Sequence, residues 1–198
     1  MPALKIKLNG QDLVTVSTQG LNVLAVRASG TRLGPDRCAV HVHGGVYPAA
    51  GESTDLTWVN DAPLAPGDRL EVHLLADGAT SQRGKTLDEL FPGEALSGPE
   101  ELKPKEVLFS ELEQMPSVFA RIGLHFASSS LGELVGAMAS DEHGYAFSVV
   151  WDSYHPTERA RVSLHTFTLR ALAEGEPLTH HVQGLIHCGD WVVFEVGA

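Results

Sequence analysis

Residues 1–78 consist of short apolar runs separated by turn residues. Leu4, Ile6 and Leu8 alternate with lysines, and Asn9-Gly10 supplies the left-handed residues that a two-residue hairpin turn requires. Further strands are predicted at Leu13–Val16, Leu21–Val26, Cys38–His43, Leu56–Val59 and Leu70–Leu75. A series of short strands without a convincing helix predicts a small β-sandwich or open barrel.

Residues 117–198 follow a different pattern, which predicts an antiparallel sheet with one packed helix. Ser130-Leu131-Gly132-Glu133 has the form of a capping box, so a helix is expected from Ser130 to about Ala139. Strands are expected at Val118–Phe126, Tyr145–Tyr154, Arg159–Ala171 and Leu185–Val196. The predicted fold class is therefore mainly β, with an α+β second segment.

The tract between these segments, residues 79–116, is rich in Glu, Pro and Gly. Thr86-Leu87-Asp88-Glu89 predicts a capped short helix, and a second short helix is expected from about Pro104 to Gln114. Its predicted inward residues are Val107, Leu108, Leu112 and Met115. We expect a β-rich domain at 1–78, an acidic connector at 79–116 and an α+β domain at 117–198, with few strands pairing across the connector.

Three short motifs in the first segment carry a resemblance to other proteins. They are Leu8-Asn9-Gly10, Leu56-x-Trp58, and the turn Leu64-x-x-Gly67-Asp68 that precedes Leu70-x-Val72. Over about the first 90 residues the chain resembles a group of small uncharacterised bacterial proteins with a β-rich domain. The resemblance implies a β-rich fold and no activity.

Charge narrows the range of partners. The net charge is −11, and residues 79–115 alone carry 8 acidic and 4 basic side chains. Without a basic cluster, the term that dominates affinity for nucleic acid is missing, so neither nucleic acid nor an anionic membrane is expected as a partner. No apolar run approaches the length of about 18 residues that a membrane-spanning helix needs, and the N-terminus lacks the pattern of a secretion signal. Only 2 cysteines are present. Reduced thiols and a cytoplasmic location are expected.

His41 and His43 provide the candidate metal chemistry. Strand side chains alternate, so both imidazoles lie on one face of a strand, and Glu71 and His73 share a face of another predicted strand. If the two faces met, His41 and His43 with His73 or Glu71 would give three ligands and an open position. The competing interpretations are an ordinary polar face or a pH-sensitive partner contact.

No other group of residues predicts catalysis. His187 and Cys188 are neighbours on a strand and point to opposite faces, and Ser128-Ser129-Ser130 lacks the glycine-flanked elbow of a serine nucleophile. The glycines do not have the spacing of a phosphate-binding loop. No catalytic residue and no cofactor is therefore predicted.

Two surfaces are candidates for binding a protein partner. Glu100, Glu101 and Glu106 lie in the acidic connector, where opposite charge would speed encounter with a basic partner. Tyr145, Phe147, Val149 and Trp151 share one face of a strand, and that face is either core or an aromatic interface. The leading hypothesis is a non-catalytic protein-binding module, of the inhibitor or immunity type, that neutralises a basic partner. The alternative is a metal-dependent enzyme that uses His41 and His43.

Overall fold

The protein folds into two six-stranded antiparallel sheets, as seen in a computed structural model that describes residues 1–33, 38–48, 50–93, 104–116 and 122–197. The strands are β1 Ala3–Leu8, β2 Gln11–Ser17, β3 Val23–Thr31, β4 Ala39–Val46, β5 Thr54–Pro63, β6 Arg69–Leu75, β7 Gly123–Ser128, β8 Gly132–Ala137, β9 Gly144–Asp152, β10 Arg159–Phe167, β11 Thr179–His187 and β12 Trp191–Gly197. The helices are α1 Leu87–Leu90, α2 Lys105–Glu113 and α3 Leu169–Glu174. The prediction of a mainly β fold is confirmed.

Each sheet contains strands from both segments of the chain. The first sheet has the order β2-β1-β6-β12-β7-β8, and the second has the order β11-β10-β9-β3-β4-β5. β6 pairs with β12, where Val72 lies opposite Val192, and β3 pairs with β9, where Val26 lies opposite Val149. Only these two of the ten described strand pairings cross the connector, so the pairs are few, but they make both sheets continuous across it and the two segments do not form separate sheets. Pairing across it covers strand edges that each segment would otherwise leave open.

The two segments also have the same topology. If each of β1–β6 is exchanged with the strand six positions later, β1 with β7 and so on to β6 with β12, both sheets keep the same strand order, read from the opposite edge. Each segment gives three strands to the first sheet and three to the second, and the equivalent strands β6 and β12, and β3 and β9, meet antiparallel at the centre of each sheet. The fold is therefore two halves that lie side by side in both sheets, related by a topological two-fold symmetry.

The inner faces of the two sheets form one hydrophobic core. Tyr145 and Phe147 on β9 contact Phe194 on β12, with ring centroids 5.5 and 5.0 Å apart. The core includes residues from strands of both sheets and both halves. The two sheets therefore pack face to face as a sandwich, with alternate side chains of each strand on an outer face.

Local signals form the predicted hairpin and the first helix. Asn9 and Gly10 have φ angles of 54° and 77° and join β1 to β2. The predicted capping box is confirmed, since Thr86 Oγ1 accepts from the Glu89 amide and the Glu89 carboxylate accepts from the Thr86 amide. These elements form where the sequence predicts them because their hydrogen bonds are local.

Three predicted elements of the second segment are wrong. The helix expected from Ser130 to Ala139 is instead the strand β8, because Ser128 Oγ accepts from the Ser130 and Leu131 amides and closes a turn, after which Gly132 has φ 86°. The strand expected at Arg159–Ala171 ends at Phe167, where Thr168 caps α3. The strand expected at Leu185–Val196 is divided by a turn at Gly189, φ 99°.

No helix among the described residues is long and apolar enough to span a membrane.

Candidate functional site

The histidines of the proposed metal site lie on opposite sides of the molecule. Val40 and Val42 point into the core from β4, so His41 and His43 lie on the outer face of the second sheet. Leu70, Val72 and Leu74 point into the core from β6, which places Glu71 and His73 on the outer face of the first sheet. The three-ligand site predicted from His41, His43 and His73 or Glu71 is therefore wrong, because the core separates the two faces.

No alternative metal cluster replaces it. Within the described ranges, no group of three or more His, Cys, Asp or Glu side chains is arranged to hold a metal ion. The two rings of the His-x-His pair have different surroundings. His41 Nδ1 accepts from the Asp61 amide at 3.4 Å, and its Nε2 lies 3.5 Å from Asp61 Oδ1, whereas His43 makes no hydrogen bond or ion pair with any described residue.

The aromatic face of β9 belongs to the core. Tyr145, Phe147 and Val149 are fully buried and Trp151 is 1% exposed, and the Trp151 indole N–H donates to the Thr157 carbonyl at 2.8 Å. The partner-binding role considered for Tyr145 and Trp151 is therefore wrong, since neither side chain reaches the surface. The core alternative is the one that the structure supports.

The predicted acidic site can be located only in part. Glu100 and Glu101 lie outside the described residues, and Glu106 lies in α2 with a side chain that is also outside them. The helix itself begins at Lys105 and ends at Glu113, close to the predicted bounds. The partner-binding role of these three glutamates stays a prediction.

An exposed apolar surface lies on α2 and α3, which pack against each other. Val107 and Leu108 are each 45% exposed, Met115 just beyond α2 is 40% exposed and Leu172 on α3 is 44% exposed. We call these four residues the helical surface. Three of them had been predicted to point inward, and the structure leaves them substantially exposed. Leu172 was missed because the strand predicted at Arg159–Ala171 covered the start of α3 and ended just before Leu172, although Thr168, which caps α3, carries the local signal of a helix start.

Carboxylates accompany this apolar surface. Glu111 on α2, Glu174 on α3 and Glu176 just beyond it are all exposed. Arg170 donates Nε to both oxygens of Glu174 at 3.2 Å, an i, i+4 pair on the solvent side of α3. The two helices therefore carry exposed carboxylates as well as exposed apolar side chains.

The outer face of the first sheet carries a chain of ion pairs. Arg69 on β6 contacts Glu71 at 2.6 Å and Glu195 on β12 at 3.0 Å. His125 on β7 continues the chain, with Nδ1 3.2 Å from Glu195 and Nε2 3.0 Å from Glu133 on β8. At the other end of the face Lys5 pairs with Asp12 at 2.9 Å. The charges of this face neutralise one another across neighbouring strands.

His125 gives the folded protein a pH-dependent contribution to stability. Partial burial of the ring disfavours the charged form, but hydrogen bonds and charge from Glu133 and Glu195 outweigh burial and raise its pKa above 6.5. A raised pKa in the folded state means stabilisation that is complete below pH 6.5 and is lost as pH rises through the raised value. Urea unfolding of His125→Gln should therefore show a smaller loss of stability over that interval than the wild-type protein.

The variant Glu133→Gln is the graded companion to this measurement. It removes one of the two carboxylates that face His125 and leaves the imidazole in place, so it should reduce the pH dependence without abolishing it. A His125→Gln protein with the wild-type pH dependence would contradict the assignment to this residue.

A second polar cluster is buried and has a structural role. The Thr166 hydroxyl donates to Glu142, which also accepts from the Ala139 amide at 2.7 Å, and His181 Nε2 lies 2.8 Å from Thr166 Oγ1. Burial opposes ionisation of Glu142, but these hydrogen bonds lower its pKa below the ordinary value. Arg32 donates to the Ser140 carbonyl at 2.7 Å. These hydrogen bonds fix the segment before β9. Thr166 is fully buried, so its hydroxyl is not an accessible nucleophile.

Together, these observations define an antiparallel β-sandwich with an exposed helical surface and no catalytic cluster that we can identify among the described residues. No family model, curated protein or solved structure matches the chain.

Proposed function

We propose that the protein is a non-catalytic protein-binding module and that the helical surface docks a basic partner. The observation that carries the proposal is the exposure of Val107, Leu108, Met115 and Leu172 on two helices in contact, in a chain of net charge −11. Apolar side chains at the centre of an interface supply most of its affinity, whereas charges at the rim steer encounter. An acidic rim selects a partner with exposed lysines and arginines.

The glutamates of the connector fit this proposal. Glu100, Glu101 and Glu106 precede or begin α2 in the sequence, so they enlarge the acidic region from which the helix emerges. An acidic inhibitor or immunity-type protein that neutralises a basic partner is the form of binding module that we favour. A cytoplasmic location agrees with the two free thiols, Cys38 and Cys188.

Replacing Val107 and Leu108 together with serine tests the apolar part of the surface. Both side chains are substantially exposed, so the free energy of unfolding should change by less than about 1 kcal/mol. Affinity for the partner should fall by about tenfold or more, because residues at an interface centre commonly contribute over about 1 kcal/mol each. The measurement is surface plasmon resonance against the basic protein recovered with the wild-type chain, at two salt concentrations.

Val135→Ser is the matched control, because Val135 is 77% exposed on β8 of the first sheet and belongs to a different surface. It should bind as the wild type does. Charge reversal at Glu100, Glu101 and Glu106 should mainly slow association and weaken its salt dependence. Equal loss of binding in the Val135 variant, or full binding by the Val107/Leu108 variant, would contradict the proposed surface.

A further inference from the structure

The outer face of the second sheet contains an open depression of about 300 Å³ beside the edge strand β5. It is formed by side chains of the three neighbouring strands β3, β4 and β5. Its lining residues are Arg27, Ser29, His41, His43, Thr57 and Asn60. All six carry a side chain that can donate a hydrogen bond, and none carries a carboxylate.

Strand register places these donors next to one another. Arg27 lies opposite His41 across β3 and β4, and His43 lies opposite Thr57 across β4 and β5. Side chains of directly opposed residues lie about 5 Å apart at Cβ, and positions i and i+2 of a strand share a face. Ser29 follows Arg27 by two residues, and His43 follows His41 by two residues. Ser29 lies opposite Ala39 and His43 lies opposite Ala25, so these two donors are on either side of the Arg27–His41 pair. The donors therefore line an elongated depression, with Arg27 and His41 near its middle.

Five of the six donors have no side-chain partner within the part of the chain that the structure describes, and the sixth, His41, contacts Asp61. The side chains of Arg27, Ser29, His43, Thr57 and Asn60 make no hydrogen bond or ion pair there. The nearby carboxylates are already engaged, since Asp55 accepts from the Tyr47 hydroxyl at 2.5 Å and Asp61 contacts His41. In the first sheet, by contrast, the outward Arg69 has two carboxylate partners.

The electrostatic surroundings of His43 agree with a locally positive depression. Burial lowers the pKa of His43, and the positive charges of Arg27 and His41 lower it further, against a smaller opposing effect of Asp55. Among the charged groups that act on His43, Arg27 thus has a larger effect than the neighbouring Asp55, in a protein with an excess of 11 negative charges. An oxyanion placed there would relieve that repulsion and accept hydrogen bonds from donors that otherwise face solvent.

We propose that this depression binds a phosphate group, with the Arg27 guanidinium as its principal charge partner. The guanidinium presents paired N–H donors that match two oxygens of a phosphate. The remaining oxygens can accept from donors on one side of Arg27, either the Ser29 hydroxyl or the neighbouring side chains of His43 and Thr57. A tetrahedral anion with several acceptor oxygens uses donors from three strands better than a planar carboxylate does. The site is separate from the helical surface and does not depend on it.

Titration of the full chain with inorganic phosphate, followed by ¹H–¹⁵N NMR, tests the proposal. Saturable shifts should appear for residues of β3, β4 and β5 around the depression, and phosphoserine should produce the same shifts if the group is recognised on a larger molecule. Arg27→Gln should weaken phosphate binding by about tenfold or more, because a hydrogen bond to a charged group contributes about 1.5–3 kcal/mol. Arg27→Lys keeps the positive charge but loses the paired N–H donors of the guanidinium, so its phosphate affinity should lie between those of the wild type and Arg27→Gln.

Arg161→Gln is the matched control. Arg161 lies on the same outer face, on β10, but its guanidinium is 3.6 Å from Asp152 Oδ2 and is thus already paired. This variant should bind phosphate as the wild type does. The proposal would be overturned by the absence of saturable shifts, by equal affinity in Arg27→Gln, by equal loss in Arg161→Gln, or by acetate binding as tightly as phosphate.

Discussion

A chain divided between residues 93 and 104 will not give two independently stable halves. A fragment of residues 1–93 has all of its first six strands, but β3 loses its partner β9 and β6 loses its partner β12. Each central strand then becomes an edge, and its inner apolar side chains lose the aromatic residues of the other half. Small domains with an incomplete core seldom overcome the conformational entropy of folding. We expect neither fragment to unfold cooperatively as a monomer.

Mixing the two fragments should restore the fold. The complementary fragment, residues 104–198, supplies β9 and β12, so a 1:1 complex with the β-sheet circular dichroism of the intact protein is expected. Its melting temperature should depend on concentration, because folding and association are then one equilibrium. A fragment that melts cooperatively at a temperature independent of its concentration would show that one half is stable without the other, and would contradict this prediction.

Trp151→Ala should lower the free energy of unfolding by about 3–5 kcal/mol, as truncation of a large buried aromatic residue commonly does. Trp151 is 1% exposed, and the substitution leaves a cavity between the sheets and removes the indole hydrogen bond to Thr157. Since small domains have a total stability of about 5–15 kcal/mol, the loss is a large fraction of it. Equilibrium unfolding in urea measures it directly.

Trp191→Ala is the control of the same residue type. Trp191 is 37% exposed at the start of β12, so its truncation removes less buried apolar area and should cost clearly less than that of Trp151. If Trp151 were a surface anchor for a partner, its alanine variant would keep wild-type stability and lose only binding. That result would contradict the position of Trp151 in the core.

Local sequence signals predicted much of the secondary structure. The turn at Asn9-Gly10 and the capping box at Thr86–Glu89 depend on residues within four positions of one another, so their hydrogen bonds can be inferred without knowledge of the rest of the chain. Alternation of apolar residues likewise located most strands of the first segment, because the inner face of a sandwich requires a period of two.

The same local reasoning failed where one signal has two structural uses. The Ser-x-x-Glu pattern of Ser130 and Glu133 begins a helix in many proteins. Here a different serine, Ser128, accepts hydrogen bonds in the turn between β7 and β8. The choice was made by pairing with β7, in which Phe126 lies opposite Leu134. The site was affected in a similar way, since His41 and His73 were placed on plausible faces, but the assignment of their strands to different sheets could not be read locally.

The sequence by itself determined the fold class, the position of several turns and the presence of two strand-rich segments around an acidic tract. The change of pattern at residues 79–116 marks a real division, because the six strands before it and the six strands after it have the same order in the two sheets. Only the tertiary structure decided that the halves join edge to edge in both sheets and share one core. Strand pairing between β3 and β9, or β6 and β12, joins residues more than a hundred positions apart, and its stability comes from the completed edges and shared core, which no local pattern encodes.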